Sequence, residues 1–138
     1  MYPTILVTLD TTPTDRAILD HIKSLAQLMH SRVVLLHVAT GVPAKFHGPE
    51  AADEEVRTDQ AYLNRACSEF AGAGVPCEAV LAYGEPVKEI VRWVQQNRPD
   101  LVAMSTHGHQ FVADLVLGTT AIKVQHSVSV PVLLLRAK

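Results

Sequence analysis

Apolar and polar positions follow two rhythms along this chain. Nearly unbroken apolar runs occur at Thr4-Ile5-Leu6-Val7-Thr8-Leu9, at Val33-Val34-Leu35-Leu36-His37-Val38 and at Leu101-Val102-Ala103-Met104. Between them the apolar residues recur three and four positions apart. Ile18, Ile22, Leu25 and Met29 make one such face. Val56, Leu63, Ala66 and Phe70 make a second, and Val87, Ile90, Val91 and Val94 a third. Continuous runs belong to strands covered on both faces, and the spaced ones predict amphipathic helices.

Punctuating residues set the boundaries. Thr12 is the expected N-cap of the first helix, with Pro13 at its first position and Asp15 three residues after the cap. Arg32 begins the second strand. Ala39 to Glu50 carries two Gly and two Pro and predicts the longest irregular segment, a candidate mobile flap. A helix from about Ala51 to Ala71 follows. Glu50, Asp53, Glu54 and Glu55 suit the positive end of its dipole, and Gly72 and Gly74 close it. Pro76 to Ala82 predicts the third strand, Gly84 a turn, and Pro86 the start of a third helix ended by Asn97 and Pro99. The last helix is expected from Thr119 to His126, and the fifth strand from Pro131 to Arg136.

Strands alternating with helices predict an α/β fold: an open, doubly wound parallel sheet with helices on both faces and right-handed crossovers. Ligands of such sheets bind beyond the carboxyl ends of the strands, where the strand order reverses. No repeat, linker or low-complexity tract divides the chain, so residues 1–138 are expected to form a single domain.

Composition narrows the partners. At 138 residues and 48% hydrophobic, the chain has enough for one core. Aromatics at 5% disfavour base stacking on exposed rings, and a net charge of -2 supplies no basic field. Neither nucleic acid nor an anionic membrane is expected as a partner. No apolar run approaches the roughly 20 residues that span a bilayer. The first strand begins without a positively charged leader or cleavage site, so a soluble cytoplasmic protein is expected. Cys67 and Cys77 fit neither a C-x-x-C nor a zinc spacing and are expected as reduced thiols in or near the core.

Candidate chemistry concentrates between Leu101 and Arg136. The fourth strand runs into Ser105-Thr106-His107-Gly108, and after a nine-residue spacer come Gly118-Thr119-Thr120. Glycines give a polyphosphate close access to backbone N–H groups, and threonines at a helix start add hydroxyl donors beside a favourable dipole. The same residues also suit an ordinary turn and an ordinary cap. The spacing is neither a P-loop nor a dinucleotide G-x-G-x-x-G. Asp10, at the carboxyl end of the first strand, suits a ligand contact or a turn. His107 and His109 form an H-x-H that lacks a visible third metal ligand, so no metal site is expected. His37 reads as a satisfied core histidine. No G-x-S-x-G, H-E-x-x-H or paired carboxylate motif is present, and no catalytic residue is assigned.

Taken together, these markers resemble the universal stress proteins of the UspA superfamily over essentially the whole chain. They are Ile5 to Asp10, Val34 to Val38, Gly84-Glu85-Pro86 with Ile90-Val91, Asp100 to Gly108, Leu117-Gly118-Thr119 and Val130 to Leu134. The ATP-binding branch of that family carries G-x2-G-x9-G-[ST]. Gly108, the spacer, Gly118 and Thr119 match it, while Ser105 stands at the first glycine and Thr8 stands where proline is frequent. The resemblance implies a five-stranded sheet of order 3-2-1-4-5. It implies ATP, with Mg²⁺ through the phosphates, as ligand. Asp10 and the Val38 backbone would hold the adenosine end and Met104 would line the pocket. Ser105, Gly108, His109, Gly118, Thr119 and Thr120 would surround ribose and phosphates. It also implies a homodimer through the last strand and a role in stress sensing or regulation, with at most slow ATPase or self-phosphorylating activity at Ser105 or Thr119. The alternative is a member that has lost nucleotide binding and serves as a dimeric interaction module.

Overall fold

Successive side chains of a strand point to opposite faces, and the first strand, β1 (Thr4–Thr8), shows how this chain uses both. Ile5 and Val7 join one buried cluster and Leu6 joins another, all at 0% exposure. The computed structural model describes residues 1–40, 49–107 and 114–137; the side chains of 49–52, 107 and 114–119 are not described. The remaining elements are α1 (Asp15–Met29), β2 (Arg32–Ala39), α2 (Pro49–Gly72), β3 (Cys77–Tyr83), α3 (Pro86–Asn97), β4 (Leu101–His107), α4 (Asp114–Ser127) and β5 (Val132–Ala137).

All five strands pair in parallel, in the order β3-β2-β1-β4-β5. The first cluster lies against α1 and α2 through Ile18, Ile22, Leu63 and Phe70. The second lies against α3 and α4 through Ile90, Val94, Ala121 and Val124. The doubly wound sheet and its strand order are therefore as expected. The order reverses between β1 and β4, which pair through Ile5–Leu101, Leu6–Val102 and Val7–Ala103.

Three boundaries differ from the expectation. Thr12 is not the cap of α1. The Asp15 N–H donates to the Thr12 carbonyl (3.0 Å) in a turn, and the cap position falls to Thr14, whose side chain makes no capping bond. Asp15 is instead drawn inward, as described below. The buried stripe of α2 starts at Asp59 rather than Val56, which is exposed. Finally, α4 begins at Asp114, five residues before Thr119. The stretch Asp114-Leu115-Val116-Leu117 contains no breaker, and an acid in the first turn suits the dipole. Gly118 is thus absorbed into the helix at a cost of about 1 kcal/mol relative to alanine. The expected flap falls mostly on residues 41–48, outside the described residues.

The turn into α3 is capped by an acid. The Glu85 carboxylate accepts from the N–H groups of Val87 (3.1 Å) and Lys88 (2.8 Å), two donors with no partner within the helix. Glu85→Ala is expected to cost about 1 kcal/mol, a fall in Tm of roughly 4 °C, checked by thermal denaturation. Gly84 just before it holds φ at +140°, and a Cβ there would lie 3.3 Å from Glu89 Cγ.

Candidate functional site

At the carboxyl ends of β1, β2 and β4 a pocket of about 130 Å³ opens on the α3/α4 face of the sheet. The end of β1 contributes Thr8, Leu9 and Asp10, and β2 contributes Leu36, His37 and Val38. Met104 and Ser105 come from β4, Pro86 and Ile90 from α3, and Thr120 and Ala121 from α4. The site spans the β1–β4 switch point, where a parallel sheet leaves a crevice because neighbouring crossovers depart to opposite faces.

Five of the residues singled out in the sequence therefore converge: Asp10, Val38, Met104, Ser105 and Thr120. Gly108 and His109 lie outside the described residues. Gly118 and Thr119 lie in α4, whose backbone alone is described there. Gly118 is the fifth residue of that helix, so a position at the helix start, with an N–H left over for phosphate, is corrected. Only the first four N–H groups of a helix lack an internal partner. Among the described residues the buried Ser105 Oγ has no hydrogen-bond partner. A buried hydroxyl with an unused donor usually has a reason, and this one belongs to a residue on the pocket wall.

The β1–α1 loop that presents Asp10 is held from below by Asp15, whose exposure is 0%. Its carboxylate accepts from the Asp10 N–H (3.0 Å), the Thr11 N–H (2.8 Å) and the Tyr62 hydroxyl (2.8 Å). Tyr62 also lies 3.2 Å from the Thr12 carbonyl, which ties α2 to the same loop. The arrangement lets Thr11 occupy the left-handed region at φ 61°, a conformation that costs a β-branched residue energy and needs surrounding support. Burial pushes the Asp15 carboxyl above its ordinary value of 3.8, and the nearby Asp10 charge adds to this; the three hydrogen bonds pull it back. Burial, reinforced by the Asp15 hydrogen bond, pushes the Tyr62 phenol well upward, so Tyr62 remains a donor.

His37 has a larger part than that of a core residue. Its Nδ1 lies 2.8 Å from the Leu9 carbonyl, which only accepts, so Nδ1 carries the proton. Nε2 lies 3.3 Å from the Asp59 carboxylate of α2, a contact that becomes an ion pair only when that nitrogen carries a proton as well. The ring is hydrogen-bonded at Nδ1, and it also forms part of the pocket wall and links β2 to α2 and to the end of β1. Among the described residues no group of three His, Cys, Asp or Glu is placed to hold a metal. No helix of the described residues is long and apolar enough to cross a membrane. A second, wider cleft lies at the opposite end of the sheet, beside Asp100 and Val130, away from the strand carboxyl ends.

The family model for the universal stress protein family matches residues 1–136. The chain belongs to that family. It is 32% identical over 139 residues to a universal stress protein of Thermus aquaticus, covering 99% of this chain and 100% of that one. It is 25% identical over 157 residues to universal stress protein MJ0577 of Methanocaldococcus jannaschii, covering 100% and 97%. A Synechocystis family member, Slr1230, matches at 39% identity over only 64 residues, 46% of this chain and 22% of that protein. The solved structure of MJ0577 superposes with a TM-score of 0.87 over 100% of this chain and 98% of that one. A universal stress protein in complex with cAMP shares the fold at a TM-score of 0.75 and 19% identity, covering 99% and 98%. An Archaeoglobus fulgidus member in complex with dAMP does so at 0.72 and 20%, covering 96% and 97%. The five-stranded architecture is thus that of the family.

Proposed function

We propose that this universal stress protein binds an adenine nucleotide, ATP with Mg²⁺ through its phosphates, in the pocket at the β1–β4 switch point. The observation that carries the reading is the convergence there of an apolar wall (Val38, Met104), an acid (Asp10) and two hydroxyl residues (Ser105, Thr120). A flat apolar base suits the first, a ribose hydroxyl donates to the second, and phosphate or sugar oxygens accept from the third. The Ser105 Oγ, without a partner among the described residues, fits such an acceptor. Complexes of family members with cAMP and dAMP support an adenylate as the ligand class. Gly108, His109 and Thr119 complete the proposed phosphate contacts, and Gly118 lets the phosphates approach the helix without a Cβ in the way.

The protein then acts as a cytoplasmic stress-response sensor or regulator, reporting nucleotide occupancy rather than turning substrate over. A homodimer through β5 is part of this proposal. Val132, Leu133, Leu134 and Leu135 are all partly exposed along that edge strand, and an apolar edge invites pairing with a second copy. Calorimetry of nucleotide-stripped protein with ATP and Mg²⁺ tests the ligand. Saturable heat at micromolar to sub-millimolar ATP is expected. No heat at about 1 mM, corresponding to binding weaker than about -4 kcal/mol, rejects the reading.

A second reading is favoured by two observations, Ser105 in place of the motif glycine and Gly118 inside the helix rather than at its start. In it the chain has lost nucleotide binding and serves as a dimeric interaction module. Ser105→Gly separates the two. Loss of a useful hydroxyl weakens ATP roughly fivefold under the first reading, whereas binding appears only in the variant under the second.

A further inference from the structure

We propose that Cys67 and Cys77 form a dithiol–disulfide modification site, closed by a two-electron thiol oxidant such as a hydroperoxide or a small-molecule disulfide, that joins α2 to β3. Their Sγ atoms lie 2.6 Å apart, about 0.5 Å beyond a covalent S–S bond. Both are free thiols and both are partly exposed, so a small oxidant has access.

The backbone holds the pair rather than leaving it to chance. Cys67 lies in the last turns of α2, and Cys77 is the first residue of β3, in register with Val33 of β2. The chain between them is a tight hydrogen-bonded turn. Ala73 N–H donates to Phe70 O (3.0 Å), Gly74 N–H to Ala71 O (3.0 Å) and Val75 N–H to Phe70 O (2.9 Å). Phe70 and Val75 are themselves buried at 0% and 2% exposure. Closing the bridge asks the sulfurs to approach by about 0.5 Å, and both side chains pack against the same core cluster.

With a hydroperoxide, one thiol sulfur attacks the O–O bond and gives a sulfenic acid plus an alcohol, or water when the oxidant is hydrogen peroxide. The second thiol then attacks the sulfenic sulfur and expels water. Two S–H bonds are lost, one S–S bond forms, and the two electrons reduce the peroxide. With a small disulfide, one thiol displaces one small thiol to give a mixed disulfide, and the second thiol displaces the other. Burial pushes both thiols above their ordinary value, Cys77 the further, and each also feels the Glu78 charge. Little thiolate is present at neutral pH, so the first attack is slow and proximity makes the second fast.

The test uses the full chain, reduced and then treated in separate samples with hydrogen peroxide or oxidised glutathione at neutral pH. The product is denatured, alkylated with iodoacetamide and weighed intact. The expected product is a monomer that has lost two hydrogens and both alkylation sites, with Cys67 and Cys77 in one linked peptide, and dithiothreitol reverses it. The oxidised protein should melt about 5 °C above the reduced one, because the bridge restricts the unfolded chain, and Cys67→Ser should show no such difference. With oxidised glutathione, Cys67→Ser or Cys77→Ser should stop at a single glutathione adduct. Thiols that remain alkylatable, end as sulfinic acids, keep separate glutathione adducts in the unsubstituted protein, or link two chains would each overturn the proposal. The outcome is independent of nucleotide binding.

Discussion

Replacing Asp15 by alanine is expected to destabilise the protein by about 2–3 kcal/mol and to lower Tm by roughly 10 °C. The carboxylate receives two backbone N–H groups and one phenol. Bonds to a charged acceptor contribute about 1.5–3 kcal/mol each in favourable settings. Two effects work the other way: the variant no longer buries a charge, and water can reach part of the freed loop. The hydrogen bonds win because three donors lose their acceptor at once and Thr11 loses the support for its left-handed backbone. Thermal or urea denaturation checks the size. The pH dependence gives an independent sign. Burial raises the Asp15 carboxyl in the folded state, so in the window from its ordinary 3.8 to that raised value the folded state holds more protons than the unfolded chain. Stability from this group therefore falls as pH rises through the window. Asp15→Asn, which does not titrate, should lose that slope, as measured by urea denaturation between about pH 3.5 and pH 6.

Asp10→Ala should instead spare the fold and weaken the ligand. Asp10 is exposed at the pocket mouth, where its substitution is expected to cost less stability than that of the buried Asp15. As the acceptor for a ribose hydroxyl it would account for about 1.5–3 kcal/mol, so ATP affinity should drop roughly 10- to 100-fold. Calorimetry beside a melting curve separates the two effects. A loss of affinity accompanied by a large loss of Tm would move Asp10 from ligand contact to structural support.

The contrast between these neighbours shows what the sequence makes legible. The strands could be read because a sheet covered on both faces demands unbroken apolar runs, and β2 and β4 are such runs. Asp10 and Ser105 could be placed because the carboxyl end of a strand is where a doubly wound fold turns toward its crevice. Asp15 and Asp59 were harder, although a signal exists. Each occupies a place in an apolar helical stripe: Asp15 ahead of Ile18 and Ile22, and Asp59 ahead of Leu63, Ala66 and Phe70. An acid at such a position has to find donors in the interior. Two donors to Asp15 are local, the Asp10 and Thr11 N–H groups five and four residues before it, but Tyr62 lies 47 residues away and the His37 ring that faces Asp59 comes from another strand, beyond any local pattern. His37 was legible as a hydrogen-bonded ring but not as pocket wall, since that depends on which strand end lies beside it. The start of α4 escaped for a different reason: Gly118-Thr119 imitates a helix start, while the less conspicuous Asp114 to Leu117 already has helical backbone.

The placement of an adenylate against β1, β2 and β4 can be observed directly by methyl NMR during titration with ATP and Mg²⁺. The Met104 and Val38 methyl resonances are predicted to shift and saturate together, with the same Kd as calorimetry, while those of Val128 and Val130 at the far end of the sheet stay in place. Saturable ATP heat with unmoved Met104 and Val38 methyls, or shifts confined to the far end, would contradict the site.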